Sequence, residues 1–114
     1  MSSPMNILEI IRGTTNTVQI DVTDAGGTPY ALADGEVLRF GVKRNAASSE
    51  YLIRKDVTTG TGSYTVTLTP EDTAGLAPGS YLFDVGLQSG GDYYNIIPTS
   101  AFVIRASVTK KEAT

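Results

Sequence analysis

The segment Ser63-Tyr64-Thr65-Val66-Thr67-Leu68-Thr69 alternates strictly between polar and apolar residues. Side chains of an extended chain point to opposite faces in turn, so Tyr64, Val66 and Leu68 share one face and three Thr share the other. A helix would scatter the same residues around its surface. The same period of two recurs along the chain. It places Val18, Ile20 and Val22 together in Thr17 to Val22, and Leu38, Phe40 and Val42 together in Val37 to Lys43. It also groups Tyr81, Phe83, Val85 and Leu87 in Tyr81 to Leu87, and Phe102-Val103-Ile104-Arg105 repeats it. One apolar face per strand describes antiparallel sheets packed on one side.

Three further segments complete the series. Met5 to Arg12 is rich in Ile and stops at Gly13, which favours a strand over a helical turn. Leu52-Ile53-Arg54-Lys55 is a short strand whose charges suit an edge. Tyr93-Tyr94-Asn95-Ile96-Ile97 is a strand ended by Pro98. Between the strands lie turn clusters at 23–29, 33–35, 58–63 and 88–92, the last a hairpin loop. The only break in the period is Thr69-Pro70-Glu71-Asp72-Thr73-Ala74-Gly75-Leu76, which has a capping Thr, Pro at the first helical position and acids in the first turn. It predicts one helical turn near Pro70–Gly75, with Leu76 plugged into the core, followed by Tyr81 at a strand start. A Tyr so placed often bonds back to upstream backbone at the crossover of immunoglobulin-like sandwiches. The expected fold is therefore all-β, an immunoglobulin-like antiparallel sandwich of seven or eight strands. It forms a single domain over residues 5–108, with flexible ends at 1–4 and 109–114.

Composition narrows the chemistry. The chain contains no Cys and no His, which excludes a disulfide framework, a thiol nucleophile, a thiolate zinc site and an imidazole base. The net charge is −3 and the basic residues are scattered, against nucleic-acid binding. Apolar runs fall far short of the ~20 residues that span a bilayer, and the N-terminus lacks the basic and apolar regions of a signal peptide. No membrane association and no cofactor are expected.

The candidate sites each have a plainer reading beside the functional one. Glu71, Asp72 and Asp84 are the acids available for hydrolysis, but the first two sit where acids complement a helix N-terminus. No catalytic residue is assigned. Asp84 alternates onto the outer face of a strong strand. It is either a ligand or partner contact or, the favoured reading, a surface acid paired across the sheet with Arg39 or Lys43. Asp21, Asp24 and Asp34 lie near glycines, as in oxygen-rich calcium loops, but they lack the EF-hand spacing and are ordinary turn residues. No metal site is assigned. Gly60-Thr61-Gly62-Ser63 lacks the Lys-Ser/Thr ending of a phosphate loop. Asp92, Tyr93 and Tyr94 form a loop tip suited to contacts, although Tyr94 packed in the core and Tyr93 half-covering a sheet is the favoured reading. The partner-contact candidates are Tyr30, Asp84, Asp92, Tyr93 and Tyr94.

The ordered motifs Leu8-Glu9-Ile10-Ile11-Arg12-Gly13-Thr14-Thr15, Phe40-Gly41-Val42-Lys43, Leu68-Thr69-Pro70-Glu71-Asp72-Thr73 and Pro78-Gly79-Ser80-Tyr81-Leu82-Phe83-Asp84-Val85 resemble a small β-domain of bacteriophage and prophage tail genes. The resemblance, from about Met5 to about Val108, is to the N-terminal domain of baseplate upper proteins. It implies a non-catalytic virion component, made in the bacterial cytoplasm and assembled into a tail or baseplate. There it would act as a docking or adaptor module on other tail or baseplate proteins, with homo-oligomerisation at some stage. With no heptads after the domain, an adaptor or decoration role is expected rather than direct receptor binding. The alternative is a carbohydrate-binding or other ligand-binding module that stacks its ligand on Tyr93, Tyr94 or Tyr30.

Overall fold

The computed structural model describes residues 7–45 and 47–107. The expected domain limits at 5 and 108, the expected flexible ends and the Val108 extension lie outside them. Among the described residues, seven strands and one short helix follow in the order β1 (Ile7–Ile11), β2 (Asn16–Asp21), β3 (Val37–Lys43), β4 (Ile53–Val57), β5 (Ser63–Leu68), α1 (Pro70–Ala74), β6 (Gly79–Ser89) and β7 (Asp92–Arg105). They form a five-stranded sheet in the order β1-β7-β6-β3-β4 and a two-stranded sheet of β2 and β5. The order β7-β6-β3-β4 opposite β2-β5 is an immunoglobulin-like arrangement.

Two expectations need correction. First, the sandwich is not wholly antiparallel, because β1 runs parallel to β7, with Leu8 opposite Phe102 and Ile10 opposite Ile104. Second, Pro98 does not end a strand. The two segments 93–97 and 102–105 belong to one 14-residue strand. Between Phe83 and Gly86 strand β6 advances three residues, while β7 advances five between their partners Ser100 and Asn95. The two extra residues are taken up in register shifts on either side of Val85. A bulge leaves backbone groups out of the ladder, so Pro98 forfeits no strand hydrogen bond there. The facing pattern holds through each shift, with Ile97 opposite the buried Val85 and packed against the core. Tyr94, opposite Leu87, lies on the same face as Ser100, Phe102 and Ile104.

The core follows the alternation. Phe40, Val66, Leu68, Phe83, Val85 and Phe102 are all buried, with Ile20, Leu38, Val42, Tyr64, Tyr81 and Ile104 among them. Phe40, Phe83 and Phe102, on three adjacent strands, bring their rings within 5.7 to 6.4 Å of one another. Tilted and edge contacts of this kind add to the burial of each ring.

The crossover from β5 to β6 forms as its residues predict. The Thr69 N–H donates to Asp72 Oδ2 at 2.7 Å, which closes the first turn of α1. Lys55 reaches the same carboxylate at 2.9 Å. The buried anchor is Thr73, whose Oγ1 accepts from the Gly13 N–H at 2.8 Å. Leu76, expected to plug the core, packs only at its margin. Arg12 donates Nε–H to the Leu76 carbonyl at 2.7 Å and also reaches the Ala74 carbonyl. The Arg12-Gly13 and Thr69-to-Leu76 motifs therefore hold each other, 60 residues apart in the chain. Tyr81 donates its hydroxyl to the Ala77 carbonyl at 2.7 Å, the bond back to upstream backbone that its position predicts.

Phe83→Ala should cost about 3–5 kcal/mol, read as a lowered urea midpoint, because the cavity opens between two other rings. Tyr81→Phe should cost about 1 kcal/mol by the same measurement, and an unchanged midpoint would deny the corner bond any part in stability.

Candidate functional site

The two sheets differ on their outer faces. The β2-β5 pair exposes Thr17, Gln19, Asp21, Ser63, Thr65 and Thr67, an ordinary wet surface. The five-stranded sheet does not. Ile7 of β1, Ala101 of β7, Leu82 of β6 and Lys43 of β3 stand in one register row across four strands. Ile7 is 63% exposed and Ile11 47%, both on an edge strand. Glu9 and Arg105 pair between them at 2.8 Å. The outer face of this sheet is thus part apolar where a one-sided sheet would be polar.

Toward β4 the same face carries two tyrosines laid on glycines. A Cβ on Gly41 would stand 2.4 Å from the Tyr51 ring, and a Cβ on Gly86 would stand 1.8 Å from the Tyr93 hydroxyl. Both glycines sit in the middle of strong strands because any side chain there would lift a ring off the sheet. Lys43 Nζ lies 4.6 Å from the Tyr51 ring centroid and Arg54 at 5.7 Å, so cations brace that ring. Tyr93 has its phenol pKa raised, first by partial burial and then by the nearby Asp84 charge.

Asp84 lies on this face as expected, but the cross-strand ion pair expected for it does not form. Arg39 is taken by Asp56, at 3.0 Å, and Arg54 holds the other oxygen of Asp56 at 3.1 Å. Burial alone would raise the Asp56 pKa, but the two guanidiniums outweigh it and lower it. Among the described residues no cation comes within ion-pair distance of Asp84.

The candidate contact residues therefore divide. Asp84 and Tyr93 share the outer face. Asp92 is exposed beside the two-residue hairpin turn Gly90-Gly91, where Gly90 has φ 58°. Tyr94 points to the inner side at the open end of the sandwich and is 53% exposed, so the expectation that it packs in the core is wrong. Leu87 and Leu38 in the same register row are buried, but β1 flanks β7 only over Ala101 to Arg105, so β7 is the sheet's edge at Tyr94. Tyr30 is at that same end, where its hydroxyl donates to both carboxylate oxygens of Glu36 at 2.7 and 2.8 Å. Two of the acids considered for hydrolysis or calcium have local roles. Asp72 caps α1, and Asp24 Oδ1 accepts from Gly26 and Thr28 N–H groups within its own turn.

Sequence reasoning missed Tyr51, Gly41, Gly86 and Glu36. The signal for the glycines was their place inside unbroken alternation. Glu36 gave none, being one acid after a turn. It is buried, yet every contact suits a carboxylate. The Ala33 N–H donates at 2.7 Å, Tyr30 donates, and Ser89 on the β6-β7 hairpin contributes. Together they hold its pKa below the ordinary glutamate value. A depressed folded-state pKa stabilises the fold fully above the unfolded value and is lost as pH falls through the folded one. The urea midpoint of the wild type should therefore drop more steeply on acidification through the carboxylate range than that of Glu36→Gln. Parallel pH profiles would remove Glu36 from acid sensitivity.

No known protein family and no curated protein matches this chain. Among solved structures it is similar to the NK cell receptor NKp44, a triggering partner in natural cytotoxicity, at 20% identity and a TM-score of 0.48, over 92% of this chain and 100% of that one.

Proposed function

We propose that this chain is a non-catalytic docking module of a phage or prophage tail or baseplate, and that it joins other virion proteins, its own copies included, through the outer face of its five-stranded sheet. The observation that carries the reading is the exposure of Ile7 and Ile11 on edge strand β1, with Ile7 in register with Ala101 and Leu82. Exposed isoleucines on a sheet edge, here on either side of the Glu9–Arg105 pair, gain free energy when a partner covers them. Arg12-Gly13 and the Thr69-to-Leu76 crossover, two of the motifs behind the phage-tail resemblance, are in contact. Repetition in a particle multiplies a modest single contact.

The test is made on particles released by the organism that encodes the chain. Mass spectrometry of purified tails should find it in fixed ratio to other tail proteins. Ile7→Asp combined with Ile11→Asp should abolish its incorporation while leaving its thermal melt nearly unchanged, since both side chains already face water. Absence of the wild-type chain from intact particles would overturn the reading.

A further inference from the structure

Asp84 stands where cross-strand side chains are missing on both sides. Its register partner on β3 is Gly41. On β7 it has none, because Phe83 faces Ser100 and Val85 faces Ile97, with the bulge at Pro98 and Thr99 between. Side chains flanking this gap leave a cleft of about 90 Å³ around the carboxylate. Lys43, Asn45 and Thr99 line it with hydrogen-bonding groups, and Tyr51 and Leu82 supply apolar wall. Tyr51 is fixed from below by Gly41, so the wall is formed before any ligand arrives.

The contents of the cleft select its occupant. An anion would meet the Asp84 carboxylate. A cation would meet Lys43 in the cleft itself and Arg39 beside it on the same face. A neutral ring with hydroxyls on its rim and C–H groups on its faces meets no such conflict. Asp84 accepts from hydroxyls, the Lys43 ammonium donates to them, and Asn45 and Thr99 do both. The lining of the cleft is about equally polar and apolar, which suits a ligand with both hydroxyls and C–H faces, and convergent polar groups fix the orientation of a small molecule. We propose that the Asp84 cleft binds one pyranose unit of a neutral saccharide. This site differs from the stacking platform of Tyr93, Tyr94 and Tyr30 expected for a saccharide from the sequence, and it does not depend on the tail assignment.

The test is a titration of the isotope-labelled chain with neutral methyl pyranosides and, separately, with the amides of arginine and lysine, followed by backbone amide NMR. At least one glycoside should shift the Gly41, Asp84 and Thr99 signals saturably, with dissociation constants in the millimolar range typical of a single small contact, about −4 kcal/mol. Asp84→Ala should weaken binding at least about tenfold, a loss of about 1.4 kcal/mol. Lys43→Ala, a second variant that disturbs no buried group, should weaken it in the same direction. Ile11→Ser, at the proposed docking edge, should leave it unchanged, which separates failure of this site from failure of the docking reading. The proposal falls if no glycoside moves these signals, if Asp84→Ala binds as the wild type does, or if only the cationic amides bind. That last result would instead assign the cleft to a Lys or Arg side chain of a protein partner.

Discussion

The contact among Phe40, Phe83 and Phe102 sets the phase of the three central strands. Once those rings face the β2-β5 pair, a period of two leaves no freedom for their neighbours. Arg39, Gly41, Leu82, Asp84 and Gly86 must face outward, whatever their chemistry. The outer face is therefore the complement of the core pattern. Its features are informative because nothing in the packing of the core requires them to be glycine, tyrosine or an unpaired acid.

Core and surface are joined at the crossover. Arg12, Thr73, Lys55 and Asp72 link β1, α1 and β4 through hydrogen bonds and one partly shielded ion pair. The Arg12 bonds end on carbonyls at the C-terminal end of the short helix, so they satisfy polar atoms rather than add large net energies. They hold the chain where it passes between sheets and so keep β1 beside β7, the edge on which the proposed docking strip lies.

Much of this was legible in the sequence, for a definite reason. Strands β2, β3, β5 and β6 carry clean alternation, and one inward face each was enough to name their core residues. The helical turn and the Tyr81 corner were legible because capping chemistry is local. The parallel pairing of β1 was not, since partner choice depends on distant residues. Pro98 misled because its meaning as a strand end holds only where the ladder is regular. The surroundings of Asp84 were hidden for a different reason. They are defined by a glycine on one neighbour and a slipped register on the other, and absences across strands leave no mark beside the residue itself. Tyr94 was misplaced because inward facing was equated with burial, and β7 is the edge of its sheet at that point.

The surplus in β7 has a consequence for how such a gene can change. The surplus is taken up one residue at a time, and Ile97, between the two shifts, still faces the core opposite Val85. A bulge thus absorbs a single extra residue without reversing the faces beyond it. Length at this point can change by single codons, whereas one codon gained or lost inside a regular strand such as β5 would turn part of its Tyr64, Val66 and Leu68 face outward.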